Sequence, residues 1–327
     1  MPGELPHHSE DLPPEEPKRE SGISKVVGFD PEEEKTILAK AKEVFEDQIG
    51  KALEHDSGTK IPEKEKTEED REMIRHILLK IPDFIKKYGG IPMKITENHV
   101  HMLNKDDLPD ELKKEKEERG GYVLWHQFLY VFDDKNNIAN AKTIVHELIH
   151  FNAFQSLDKN IKGGPKPRRS GFQIAGYGED ENLKTLYFDD INEAVTEELA
   201  RRFSEEYFPL IPQLRKDVQY KEEFIKKYKT KNAKEISWIE TKQLESGKWR
   251  TTIAGYSYKE QRRELRKIIK EIYEKNPEEF NSREEVFTIF AEAAMSGKLL
   301  KIGRLIEKTY GKGSFRGLAE KTKEEVK

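Results

Sequence analysis

The sequence predicts an α+β fold, with a small twisted sheet and one buried helix at its centre and mostly helical parts on either side. Three observations carry this reading. Long segments before residue 90 and after residue 210 repeat apolar residues at intervals of three and four, the spacing of amphipathic helices. Residues 91–132 are instead rich in β-branched and aromatic residues in short runs, as strands are. The run from Ile138 to Leu157 is apolar on two sides, as a helix covered on both flanks must be. With 327 residues, 35% hydrophobic and 37% charged, the chain can bury an adequate core as one sizeable domain or two small ones.

Residues 1–29 hold five prolines and many acids and have almost no apolar residue before Ile23, so they read as a disordered tail. They lack the basic start and apolar centre of a secretory signal, and no apolar run nears the length of a membrane span. A cytoplasmic protein is the expectation. Residues 30–90 form a helical scaffold. Asp30-Pro31 is a helix entry signal, and Ile37, Leu38, Ala41, Val44, Phe45 and Ile49 make one stripe running towards Ala52. After a polar linker, Ile74, Ile77, Leu78, Ile81, Phe84 and Ile85 mark a second helix, closed by Gly89-Gly90.

Residues 91–210 are expected to be the central unit. Pro92–Thr96 and Val100–Leu103 are short strand candidates, and Gly121–Phe132 reads as one strong strand apolar on both faces. His126 within it is expected to be packed rather than catalytic. The region after Leu157, with Lys162-Gly163-Gly164-Pro165 and Gly176-Tyr177-Gly178, reads as an irregular hairpin or lid. Residues 211–327 are expected to be a helical subdomain, with Leu214–Tyr228 and Tyr258–Tyr273 as charged helices and Ser282-x-x-Glu285 as a capping box. Its last stretch, Lys298–Lys323, has eight Lys/Arg against two Glu. Without interleaved repeats this reads as a solvated helix face, and the formal charge of −4 does not point to nucleic acid.

The chemistry is concentrated in His146-Glu147-Leu148-Ile149-His150. Histidines four apart on a helix share a face and can converge on one metal ion. Glu147 is turned roughly 100° from His146, which sets its carboxylate beside a metal-bound water rather than on the metal. This is the H-E-x-x-H pattern of zinc peptidases, with the glutamate as general base. The chain has no cysteine, so any metal must be held by histidine and carboxylate.

Downstream, Ile191-Asn192-Glu193-Ala194-Val195-Thr196-Glu197 resembles the third-ligand helix of the gluzincin metallopeptidases, whose pattern is Asn-Glu-x-x-Ser/Thr-Asp/Glu. The resemblance implies a zincin-like fold and one Zn2+ per chain held by His146, His150 and Glu193. Glu197 would then orient a ligating histidine. Local roles are equally open to these glutamates: Asp190-x-x-Glu193 is also a capping box, and Glu197 could pair with Arg201 one turn on. The long spacing between His150 and Glu193 is closer to that of lethal-factor-like zinc peptidases. In those, a tyrosine shortly before the glutamate ligand stabilises the oxyanion, and Tyr187 matches that place. Tyr256 and Tyr258 are competitors. All nine histidines lie at or before position 150, so the downstream histidine of thermolysin has no counterpart. In zincins the strand before the metal helix pairs with extended substrate, which would assign that role to the backbone near His126–Tyr130.

The implied activity is zinc-dependent peptide-bond hydrolysis, with a peptide or protein as substrate. A catalytically silent zinc-stabilised scaffold is the alternative, and a helical module binding nucleic acid or protein is a third. Arg168 and Arg169 could contact a substrate carboxylate but read more simply as loop-solvating residues.

Overall fold

The computed structural model describes residues 19–47, 62–104, 106, 120–123, 127–244 and 246–326. His126, His7, His8 and the end of the first helix beyond Asp47 lie outside them. The chain folds as an α+β structure, with the HExxH helix set among sheet strands and mostly helical flanks.

The N-terminal part opens with strand β1 (Lys25–Val27) and helix α1 (Pro31–Asp47). Residues 1–18 of the expected tail lie outside the described residues, whereas 19–29 include β1 and are tied down by Arg19. Its guanidinium donates to the carbonyls of Asn152, Ala153 and Ile91 at 2.5, 3.1 and 2.9 Å, tying the segment across the molecule. Helix α2 (Glu68–Lys87) starts at a capping box between Thr67 and Asp70, and buries Ile74, Ile77, Ile81, Phe84 and Ile85 as its spacing requires.

Strands β2 (Val100–Leu103), β3 (Gly120–Val123) and β4 (Phe128–Phe132) form one sheet in the order β2-β4-β3. The expected single strand over 121–132 is thus two antiparallel strands. A run apolar on both faces fits a covered hairpin as well as a covered strand, and among the described residues the turn is marked by Gln127. That residue sits at φ 51° and buries its side chain, accepting from Gly22 N and donating to Ala41 O. Pro92–Thr96 makes no strand. Its Met93 N–H donates to the Asn152 side chain and forms only an isolated bridge with Arg19.

Helix α3 (Asn137–Asn152) carries the HExxH motif, and every residue except Asn137 and His150 is buried. It stops at Asn152, short of the expected Leu157, where Arg19 caps its last carbonyls. The chain then runs through β5 (Gln155–Lys159), β6 (Pro165–Ser170), β7 (Gln173–Tyr177) and β8 (Leu183–Tyr187). These form an antiparallel meander of hairpins, with register shifts at Ser156/Leu157 and Gly176/Tyr177, where the sequence predicts an irregular hairpin or lid. Pro165 and Pro167 are tolerated because β7 pairs with β6 only at Arg169 and Ser170, beyond the prolines.

Helix α4 (Asp189–Tyr207) follows and packs on α3. Helix α5 (Arg215–Tyr228), strands β9 (Ile236–Gln243) and β10 (Trp249–Gly255), and helices α6 (Lys259–Lys275), α7 (Arg283–Ser296), α8 (Leu299–Tyr310) and α9 (Ser314–Lys321) complete the helical part. The short strand β11 (Glu324–Glu325) closes the larger sheet, in the order β1-β5-β6-β7-β8-β11. One apolar cluster runs from Phe45 on α1 through α2, α3, α4 and α7 to Ala319 on α9, and the metal-motif helix lies inside it. No helix among the described residues is long and apolar enough to cross a membrane.

Candidate metal centre

Helices α3 and α4 lie side by side, and their packing brings residues 43 positions apart into contact. His146 and His150, one turn apart on α3, point their Nε2 atoms at each other across 3.1 Å. The Glu193 carboxylate on α4 completes the cluster, 3.3 Å from each of these nitrogens. Three donors on the corners of a tetrahedron with metal–ligand bonds of about 2.0–2.1 Å would stand about 3.3–3.4 Å apart. The observed spacings fit that figure, and two imidazoles with one carboxylate form a donor set suited to a divalent metal.

Hydrogen bonds fix the orientation of His146. Its Nδ1–H donates to Glu197 Oε2 at 2.8 Å, which turns Nε2 towards the cluster. Glu197 is 1% exposed; its other oxygen accepts from Lys142 Nζ at 2.9 Å and from Ser257 N at 2.6 Å. Burial pushes its carboxyl up, yet His146 and Lys142 outweigh that and hold it at about 2. Burial likewise opposes charge on Glu193, but His150 and His146 hold it well below the usual carboxylate range. The local alternatives for these glutamates fail here. Helix α4 is entered at Phe188 without a side-chain cap, and Arg201 pairs with Glu198 and Glu205.

Glu147 lines the same cavity of 540 Å³, and burial pushes its carboxyl up despite the nearby His146 and His150. A carboxylate raised in this way is suited to taking and returning a proton near neutral pH. Gly120 on β3 lies directly over this part of α3: a Cβ there would stand 2.8 Å from Thr143 Cγ2 and 3.5 Å from Glu147 Cγ. The edge strand can approach the helix this closely only with glycine at that position.

Among the tyrosines, Tyr187 lies on β8 with its ring over Gly176, and it is not one of the residues lining the cavity. Tyr258 is. Its ring stacks on His146 at 5.7 Å and 13°, and its hydroxyl feels the charge of the Glu193 carboxylate. Burial and that neighbouring charge push the phenol well up, so it stays a donor. Tyr256 is buried behind it.

Lys142, Ser257 and the rim residues Ser170 and Gln173 are site residues that motif reading missed. A lysine one turn before an HExxH motif carries no signal of its own. Arg169 is not a solvating residue: it donates to the carbonyls of Gly171, Gly297 and Ala293. The strand-addition site expected near residues 126–130 is also corrected. β4 is paired on both sides, by β2 and β3, and has no free edge.

Comparison of the chain with protein-family models, curated proteins and solved structures returned no match. The geometry stands by itself: an HExxH pair and a glutamate from a second helix converge, with the motif glutamate beside them, as in a gluzincin-type zinc site.

Proposed function

We propose that the protein is a zinc-dependent peptidase. The observation that carries the reading is the convergence of His146, His150 and Glu193 in a cleft that also exposes Glu147. These three residues would hold the ion, and zinc bound there supplies a Lewis acid that polarises a carbonyl and acidifies a water. Glu147 takes the proton from the attacking water and passes it to the leaving amine. Tyr258, rather than Tyr187, donates its hydroxyl to the oxygen that gains charge, because it alone of the two lines the cleft. Glu197 keeps the His146 proton on Nδ1.

The substrate backbone is read by strand addition. Among the described residues no strand pairs with the outer edge of β3, and Gly120 and Tyr122 of that strand face the cleft. An extended peptide laid along β3 would therefore cross above Glu147.

The test combines metal content with cleavage, using untagged protein purified without chelators and fluorescein-labelled casein as substrate. About one zinc per chain, lost in His150→Ala, establishes the centre. Glu147→Gln is expected to keep the zinc and lose about 10²–10⁴-fold in rate. Zinc with no hydrolysis of casein or of a peptide library would instead assign a binding scaffold, and no zinc after incubation with excess metal would overturn the reading.

A further inference from the structure

Lys142 is the only lysine or arginine among the described residues that line the cleft, and it is 4% exposed. It sits on α3 one turn before His146. Its ammonium lies 2.9 Å from Glu197 Oε1, 3.1 Å from Ser257 Oγ and 5.4 Å from the centre of the Tyr256 ring. Glu197 belongs to α4, while Tyr256 and Ser257 belong to the turn between β10 and α6. The ammonium therefore joins the two helices that carry the metal ligands to the turn that carries Tyr258. Ser257 adds a second tie, since its N–H donates to the same Glu197 oxygen.

A buried ammonium is costly unless paired, and an apolar residue would fill a helix-packing position at less cost. What the lysine provides is geometry. Tyr258 has φ 51°, a left-handed conformation that a non-glycine residue keeps only when its surroundings over-determine it. The hydrogen bonds around Ser257 are the restraints immediately before it.

We propose that Lys142 is a positioning residue: by holding Glu197 and Ser257 together, it fixes the 255–258 turn and so presents the Tyr258 hydroxyl at the metal centre. The catalytic part of this inference rests on the reading of Tyr258 given above, whereas the fixing of the turn does not.

The test uses the full-length protein with Lys142→Met, Lys142→Arg, Tyr258→Phe and the Lys142→Met/Tyr258→Phe double variant. In metal-free protein, hydrogen exchange of the peptide spanning residues 249–258 is expected to accelerate in Lys142→Met while α3 keeps its protection. In zinc-loaded protein, with a quenched fluorescent peptide as substrate, kcat is expected to fall about 10–100-fold, with KM and zinc affinity within about threefold of wild type. Lys142→Arg should recover part of the loss. In the Tyr258→Phe background the same change should cost less than about threefold, because two residues acting as one unit are not additive.

Equal losses in both backgrounds, or a loss of zinc affinity that accounts for the loss of rate, would overturn the proposal. Unchanged exchange in 249–258 would also overturn it. The exchange measurement needs no turnover, so a catalytically silent protein refutes the peptidase reading and still decides whether Lys142 pins the turn. If Lys142→Met does not fold, Ser257→Ala removes one partner of the ammonium and serves the same exchange test.

Discussion

The metal-free centre holds a proton that zinc must displace, and this fixes how zinc affinity depends on pH. Burial opposes charge on the His146 ring, but hydrogen bonds to Glu193 and Glu197 outweigh it and raise its pKa to about 10. The Nδ1–H already donates to Glu197, so the second proton sits on Nε2 facing Glu193 at 3.3 Å. That is the lone pair a metal needs. Below about pH 10 each unit of falling pH should therefore weaken zinc binding about tenfold. At pH 7 the gap to that value corresponds to about 4 kcal/mol. Structural zinc sites have about 10–16 kcal/mol available, enough for zinc at this triad to bind and displace the proton. Calorimetric titration of zinc into chelator-treated protein, in two buffers of different ionisation enthalpy, should show about one proton released from His146 near neutral pH. The logarithm of affinity should rise by about one per pH unit from pH 7 to 9. Glu197→Gln removes one of the two carboxylates holding the proton and should shift the profile to lower pH. The same linkage acts on stability without metal. A raised pKa means that the stabilisation is complete below the unfolded histidine value of about 6.5 and is lost as pH rises through about 10. Affinity flat from pH 7 to 9, with no proton released, would refute the account.

Further variants separate the ligands from their supports. Glu193→Ala removes a donor and should abolish stoichiometric zinc, whereas Glu197→Ala should weaken zinc only about 10–100-fold, both read by chelator competition. Gly120→Ala places a Cβ 2.7 Å from Tyr130 O and 2.8 Å from Thr143 Cγ2, so the edge strand must move. A loss of about 1–3 kcal/mol in denaturant unfolding is expected, together with reduced casein cleavage at unchanged zinc content. Arg19→Ala leaves the Asn152 and Ala153 carbonyls without their cap and should cost about 1–3 kcal/mol, seen as faster exchange at the end of α3.

The residues of the candidate metal triad are legible because helix geometry is local. His146 with His150 and Glu193 with Glu197 are each four apart, and such pairs share a face in any helix. What joins the pairs is long-range packing, and only the resemblance to a known motif suggested it. Lys142 and Ser257 show the limit: they meet across 115 positions through a turn whose left-handed residue is a tyrosine, which no turn rule anticipates. Nearness to Glu193 in sequence favours Tyr187, yet β8 lays its ring over Gly176. The apolar pattern continues to Leu157 and so predicts a longer α3, while the residue that caps its end, Arg19, is 133 positions away. Residues 165–187 looked irregular because proline and glycine are usually breakers. Here they occupy places where the meander needs no donor or a sharp turn.

Charge gives a further argument for a dication that does not depend on distances. Among the described residues, Glu147, Glu193 and Glu197 share one cleft with a single ammonium, that of Lys142, which leaves two negative charges of that set uncompensated in a largely buried place. Without metal, protons compensate: His146 is held protonated well above its ordinary range, and Glu147 is pushed towards its neutral form. A divalent ion at the triad supplies the same two charges and makes both protons unnecessary. Its field then favours the ionised form of Glu147, the form a general base requires. Loading the centre and arming Glu147 are therefore coupled, so on the acid side of the pH 7–9 window, where the Glu147 carboxyl is protonated, Glu147→Gln should bind zinc with fewer protons released than the wild type. Equal proton release in the two proteins would show that Glu147 is already ionised in the metal-free state and that the coupling is absent.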